Sequence, residues 1–261
     1  MALGRSSRVP WGPTAGHHGR MKTIGLIGGL SWYSTAQYYR VLNEHVQERL
    51  GGHASASIAL QSLDFSVVRA QQQAGDWEAA GRLLAEAGRR CQDAGADVVL
   101  ICSNLMHRVA DDVEAALDVP LLRITDAIAD RARDRGWSHL GVLGARWVME
   151  EDFYVGRLAR AGLRVHVPGA ADRTLVDRVI FDELTQGRVV DESRTAYAEV
   201  IGRLADDGAE AVVLGCTEIE LLVGEGDSTL PLLDSMRVHA EAAAELALAD
   251  RAAGRVPEPA A

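Results

Sequence analysis

Two similar α/β domains, each a parallel sheet flanked by helices, are the architecture this sequence predicts, and three observations predict it. The first is an internal repeat. Gly95-Ala96-Asp97-Val98-Val99-Leu100-Ile101-Cys102-Ser103-Asn104 aligns without gaps with Gly208-Ala209-Glu210-Ala211-Val212-Val213-Leu214-Gly215-Cys216-Thr217. Ile24-Gly25-Leu26-Ile27-Gly28-Gly29 likewise matches Leu140-Gly141-Val142-Leu143-Gly144-Ala145, and Pro120-Leu121-Leu122-Arg123 matches Pro231-Leu232-Leu233-Asp234. The shift of about 110 residues is too long for a solenoid unit and suits a whole domain. The second observation is an alternation of short β-branched or Leu-rich runs with long amphipathic stretches, the pattern of βαβ units. The third is that runs such as Val98-Val99-Leu100-Ile101 and Ala211-Val212-Val213-Leu214 are continuously apolar, as strands buried on both faces of a parallel sheet must be.

Taken in order, the pattern predicts a strand at Thr23–Ile27, a helix at Thr35–Leu50, a strand at Ala56–Leu60, a helix over Asp76–Ala94 and a strand at Asp97–Ile101. A further strand is expected at Pro120–Ile124, and a last helix near Arg237–Leu248 is expected to pack back on the first domain. The Gly/Pro/Arg-rich residues 1–20 read as a disordered extension, because Met21-Lys22 immediately precedes the first strand. The first domain is then 21–120 plus 227–250, the second 121–226, and 251–261 a Pro/Ala-rich tail. The cleft between the two domains is the expected site.

Composition narrows the function. With 48% hydrophobic and 25% charged residues over 261 positions, the chain has the makeup of an ordinary globular protein. A net charge of −10 without a Lys/Arg cluster argues against a nucleic-acid partner. No run of eighteen apolar residues and no signal-peptide core is present, so no membrane partner and a cytoplasmic location are expected. Cys91, Cys102 and Cys216 form an odd set with no CxxC and no metal spacing, which fits a reducing compartment and predicts no metal site.

In parallel sheets, ligands gather beyond the carboxyl ends of the strands. Gly28-Gly29-Leu30-Ser31, Cys102-Ser103-Asn104, Gly144-Ala145-Arg146 and Gly215-Cys216-Thr217-Glu218 stand there. The glycine pair invites a dinucleotide reading, but the spacing is not GxGxxG and no acidic residue ends a second strand, so no nucleotide cofactor is expected. The alternative is a tight turn whose Ser31 or Ser34 caps the next helix and whose amides suit a small carboxylate. Cys216 is either a packed structural cysteine or a thiol whose pKa is lowered by nearby amides. The repeat places residue 103 opposite residue 216, on two walls of one cleft. Two groups flanking a bound carbon are what inversion of a stereocentre by proton removal and return requires.

These residues also carry a family resemblance. Gly28-Gly29-Leu30-Ser31-Trp32-Tyr33-Ser34-Thr35 resembles the GGMSWEST segment of aspartate/glutamate racemases, Ile101-Cys102-Ser103-Asn104-Leu105-Met106-His107 their CTNTMH segment, and Leu214-Gly215-Cys216-Thr217-Glu218-Ile219 their LGCTEI segment. Similarity continues through Leu50-Gly51-Gly52, Gly75-Asp76-Trp77, Met149-Glu150, Phe153-Tyr154 and His239-Ala240. The resemblance implies cofactor-independent racemisation of an amino acid such as aspartate or glutamate, with Cys216 and Ser103 at the two acid/base positions, and it implies a homodimer. It also implies that Leu30, Ser31, Tyr33, Gln72, Asn104, Leu105, Arg123, Thr217 and Glu218 line the substrate.

The sequence departs from the family pattern in ways that bear on chemistry. Ser103 offers a hydroxyl where many members have a thiol, so catalysis is expected to be lopsided between enantiomers. Cys102 should point to the other sheet face, because strand side chains alternate; it is the alternative second thiol. Tyr33, Leu105 and Arg123 replace Glu, Thr and His of the family; Arg123 could clamp a carboxylate or form a structural ion pair with Asp126 or Asp234. His107 and His239 read as supporting residues, and Cys91 as packed in a helix. Two other readings remain: a single-cysteine decarboxylase or isomerase of the same superfamily, and a non-catalytic protein that binds an acidic metabolite.

Overall fold

The computed structural model describes residues 20–253. The expected N-terminal extension lies outside them except for Arg20, whose guanidinium donates to both carboxylate oxygens of Asp97 at 2.9 Å. The expected tail also lies outside, except that the last helix runs on to Ala253.

The described residues form two four-stranded, all-parallel sheets of the same order. In the first, β1 (Ile24–Gly28) lies between β2 (Ile58–Ser62) and β3 (Val98–Ile101), with β4 (Leu121–Leu122) beyond β3. In the second, β5 (His139–Gly144) lies between β6 (Arg164–His166) and β7 (Ala211–Gly215), with β8 (Leu232–Asp234) beyond β7. The repeat pairs Val98–Ile101 with Ala211–Leu214, and these strands, β3 and β7, hold the same place in their sheets. Every residue of β1, β3 and β7 is buried, which is why these runs carry no polar alternation.

Helices cover both faces of each sheet. In the first, Ile24, Leu26, Val98 and Leu100 face one cluster with Tyr38, Val41 and Leu42 of α1 (Trp32–Leu50). Met236, Ala240, Ala243 and Ala247 of the last helix, which starts at Ser235, join that cluster. Ile27, Val99 and Ile101 face the opposite cluster, with Leu84, Ala87 and Cys91 of α3 (Trp77–Asp93). Between β2 and α3 stands α2 (Phe65–Ala74), opened by Asp64, whose Oδ1 accepts from the Ser66 N–H at 2.9 Å, and closed by Gly75 in the left-handed region. Sequence periodicity missed α2 because Val68 and Gln72 are the two residues it buries.

Short α4 (Ala110–Glu114) leads to β4. The second sheet is wrapped by α5 (Ile124–Asp134), α6 (Arg146–Glu150), α7 (Arg157–Arg160), α8 (Ala170–Asp182) and α9 (Asp191–Asp206), and the last helix is α10 (Ser235–Ala253). One apolar cluster holds this domain together, with Val142, Leu143, Val212 and Val213 from its strands and Tyr154, Val176, Val200 and Ile201 from its helices. Boundaries differ from the sequence reading where capping intervenes. The first helix begins at Trp32, not Thr35, because the Ser31 hydroxyl accepts from the Ser34 N–H. The expected strand at Pro120–Ile124 shrinks to two residues because Ile124 already starts α5.

Candidate active site

The turn after β1 shows what its glycines do. Gly29 has φ +76°, and a Cβ there would lie 2.1 Å from the Leu63 carbonyl oxygen. The Leu63 N–H donates to the Gly28 carbonyl at 2.9 Å, so neighbouring backbone fills the space beside the pair. Thr35 Oγ1 accepts from the Gly29 N–H at 2.9 Å and donates to the Ser31 carbonyl at 3.0 Å, closing the turn on itself. Leu30 is buried among the α3-side apolar residues. Tyr33 is 65% exposed, and its ring stacks on Trp32 at 3.7 Å between centroids.

Beyond β3 the chain turns tightly, the Ser103 N–H donating to the Ile101 carbonyl at 2.8 Å. Ser103 Oγ accepts from the Met106 N–H at 3.3 Å, an interaction that favours negative charge on that oxygen. His107 donates through Nδ1 to the Ser103 carbonyl at 2.7 Å, while its Nε2 accepts from the Ile124 N–H at 3.0 Å. That pair of bonds fixes the neutral tautomer, and burial, helped by His239, pulls the ring pKa down to about 3. His239 is fixed in the same way, accepting at Nδ1 from Tyr38 and donating from Nε2 to the Leu122 carbonyl, both at 2.8 Å. Burial pulls its pKa down to about 4. Cys102 continues the Val98–Leu100 face into the cluster under α1 and α10, 1% exposed, where burial pushes its thiol far up.

Beyond β7, Cys216 is extended and precedes a 3₁₀ turn, Thr217–Leu221. Its Sγ donates to Glu218 Oε2 at 3.1 Å, and the Thr217 hydroxyl donates to the same oxygen at 2.9 Å. Burial, then the Glu218 charge and its hydrogen bond, pushes the Cys216 thiol well above its ordinary pKa. This corrects the expectation of a lowered pKa. The surroundings favour the neutral thiol, which donates to the Glu218 carboxylate.

The two strand ends meet. Asn104, next to Ser103, donates from Nδ2 to Ser235 Oγ at 3.0 Å and accepts at Oδ1 from the Tyr154 hydroxyl at 2.8 Å. Ser235 in turn donates to the Leu214 carbonyl at 2.6 Å, two residues before Cys216. Leu105 packs on the second domain's apolar cluster, as Cys216 does. A second crossing joins the domains through Arg69 over the Phe181 ring at 4.5 Å, Trp77 edge-on to Trp147 at 6.0 Å, and an Arg108–Glu151 ion pair.

Two expected substrate contacts are otherwise engaged. Arg123 is buried, and its Nη2 reaches both Asp111 and Glu114, so its charge is already matched. Its partners are thus neither Asp126, which pairs with Arg157, nor Asp234. Gln72 is buried in α2, its Nε2 on Met106 Sδ at 3.0 Å and its Oε1 accepting from Arg69 at 3.2 Å. Sequence reasoning missed Ser235, which carries no motif, and gave Tyr154 no role although it stands in one of the resembling segments. Among the described residues no group of His, Cys, Asp or Glu is arranged to hold a metal ion, and no helix is long and apolar enough to cross a membrane.

Comparison with known proteins places this fold in a family. The family model for Asp/Glu/hydantoin racemases matches residues 27–243, and the chain belongs to that family. A Yersinia pestis protein classed with the Asp/Glu racemases is 46% identical, covering 87% of this chain and 100% of its own, with a TM-score of 0.84. An aspartate racemase homologue from Pyrococcus horikoshii OT3 is 32% identical over 87% of this chain and 99% of its own, with a TM-score of 0.77. An aspartate racemase from Picrophilus torridus, 17% identical with a TM-score of 0.67 over 90% of this chain and all of its own, shares the fold.

Proposed function

We propose that this protein is a cofactor-independent amino-acid racemase that inverts Cα of aspartate, glutamate or a related amino acid between Cys216 and Ser103. The observation that carries the reading is the Cys216–Glu218 hydrogen bond at the end of β7, with Ser103 at the matching end of β3. Glu218 takes the thiol proton, and the resulting thiolate removes the Cα proton. The charge that develops is spread onto the substrate carboxylate, held by amides and hydroxyls near Ser31, Asn104 and Thr217. One N–H of the Asn104 amide goes to Ser235, leaving the other for that carboxylate. Ser103, directly or through water, returns a proton on the opposite face. The balance closes when Glu218 releases its proton to solvent and Ser103 regains one.

Because enantiomers have equal free energy in solution, kcat/KM must be the same in both directions. The mismatch of a hydroxyl facing a thiol therefore appears in kcat and KM separately and in solvent exchange. A homodimer belongs to the same proposal. Six of the eight large apolar side chains exposed among the described residues, Trp32, Tyr33, Tyr39, Leu60, Phe65 and Val67, lie on α1, β2 and α2 along the open edge of the first sheet. Light scattering on wild type and a Tyr33→Glu variant tests that part.

The decisive experiment is Cα deuterium incorporation in heavy water with chiral analysis. Both enantiomers of aspartate, glutamate and other amino acids are tried, with Cys216→Ala as control. Exchange with inversion that vanishes in the variant supports the racemase. Thermal stabilisation by an acidic amino acid without any exchange points to a binding protein, and loss of carbon dioxide to a decarboxylase.

A further inference from the structure

Resting on the racemase reading, we propose that the buried chain Tyr154–Asn104–Ser235–Leu214 sets the distance between the two proton-transfer groups, which makes Tyr154 and Ser235 positioning residues of this enzyme. Every hydrogen in the chain points the same way: Tyr154 to Asn104, Asn104 to Ser235, and Ser235 to the Leu214 carbonyl, at 2.8, 3.0 and 2.6 Å. Tyr154 and Ser235 are 0% exposed and Asn104 6%, so water does not substitute for a missing member. Burial raises the Tyr154 phenol, keeping its O–H as a donor.

The chain draws on four separated segments. Tyr154 comes from a π-helical turn, Asp152–Gly156, a rare backbone form that is frequent at functional sites. Asn104 follows Ser103, Ser235 opens α10, and Leu214 precedes Cys216 by two residues. His107 holds the Ser103 carbonyl from the far side of the same turn, so the Ser103–Asn104 peptide is pinned on both sides. Burying three polar side chains costs desolvation that apolar packing would avoid. What the completed network supplies is a unique, fully buried register between two sheets whose second crossing, through Arg69–Phe181, Trp77–Trp147 and Arg108–Glu151, is made by partly exposed side chains. Inversion needs both groups within reach of one carbon, and about 1 Å of misplacement can cost about 100-fold in rate.

The test compares wild type with Tyr154→Phe, Ser235→Ala and the double variant in heavy water, measuring inversion and exchange with retention separately. Retention exchange uses the Cys216 face alone, whereas inversion needs both faces. Expected are inversion slowed by about 10- to 100-fold, KM within about threefold, and a raised ratio of retention exchange to inversion. The double variant is expected to be no slower than the worse single, because both break one chain. Equal loss of exchange and inversion, or multiplicative losses in the double variant, would overturn the proposal.

If wild type processes no amino acid, the racemase reading fails, and the chain is judged by amide hydrogen exchange. In that case Tyr154→Phe should lower protection at 103–107 and at 214–217 together. A change confined to 152–156, or none, overturns the coupling. Should Tyr154→Phe fail to fold, Ser235→Ala gives the same readings.

Discussion

Replacing Glu218 by Gln should make Cys216 react faster with an alkylating reagent and, at the same time, turn over substrate more slowly. Glu218 Oε2 lies 3.1 Å from Cys216 Sγ. At that distance a carboxylate opposes a thiolate by about 5 kcal/mol at an effective dielectric of about 20, and by about 1.3 kcal/mol at the water limit. Those bounds correspond to roughly one to four pKa units. Glutamine keeps the shape and removes the charge. It also weakens the hydrogen bond that favours the neutral thiol, so both effects lower the thiol pKa. Burial still holds it high.

At pH 8 the thiolate fraction should therefore rise at least about tenfold. Iodoacetamide labelling of Cys216, followed by mass spectrometry with Cys216→Ser as blank, reads this directly. Cys91 and Cys102 contribute little background, since both are buried and burial pushes the Cys91 thiol up to about 11. Turnover should fall because the group that takes the thiol proton is gone. Labelling that is unchanged or slower in the Gln variant would refute the view that Glu218 holds Cys216 protonated.

Three further outcomes follow from the same geometry. Ser103→Ala should slow inversion by roughly 100-fold or more while retaining deuterium exchange from the Cys216 face; parallel loss of both would remove Ser103 from the acid/base pair. Gly29→Ala should cost roughly 2–4 kcal/mol, from left-handed strain plus the clash with Leu63, and lower Tm by about 5–15 °C. Gly187→Ala, also at positive φ but facing open space, should cost only about 1 kcal/mol, and equal losses at the two sites would contradict the packing argument. Finally, His107 and His239 are held near pKa 3 and 4, below the ordinary 6.5. Between about pH 6.5 and 4 the unfolded chain binds protons that the folded one refuses, so stability falls as pH falls, by about 1 kcal/mol per pH unit for each ring. A urea midpoint at pH 5 equal to that at pH 7 would show that the rings are not buried neutral.

The two-domain parallel architecture was legible in the sequence because a parallel strand buried on both faces leaves a continuous apolar run, and the chain contains the pattern twice. The strand-end motifs were legible for a related reason, since small and polar residues interrupt an apolar run only where the sheet stops. Less was visible where local pattern is weak. Helix α2 buries too little to show a period, and the strand after Pro120 was read too long because Ile124 suits either element.

Sequence alone also paired Ser103 with Cys216, because the repeat aligns them residue for residue, and the fold puts them after equivalent strands, β3 and β7. Tertiary structure decided their state and their surroundings. One of the two sequence readings of Cys216 has backbone amides acidify it; the fold instead leaves it half-buried against Glu218, and thiol pKa depends on solvent exclusion and charge distance, neither of which a linear motif encodes. Arg123 stood at a position where it could meet a substrate carboxylate, and the fold gave it Asp111 and Glu114 instead. Ser235 carries no sequence signal at all, because a hydroxyl becomes a bridge only when folding brings residues 104, 154, 214 and 235 to one buried point.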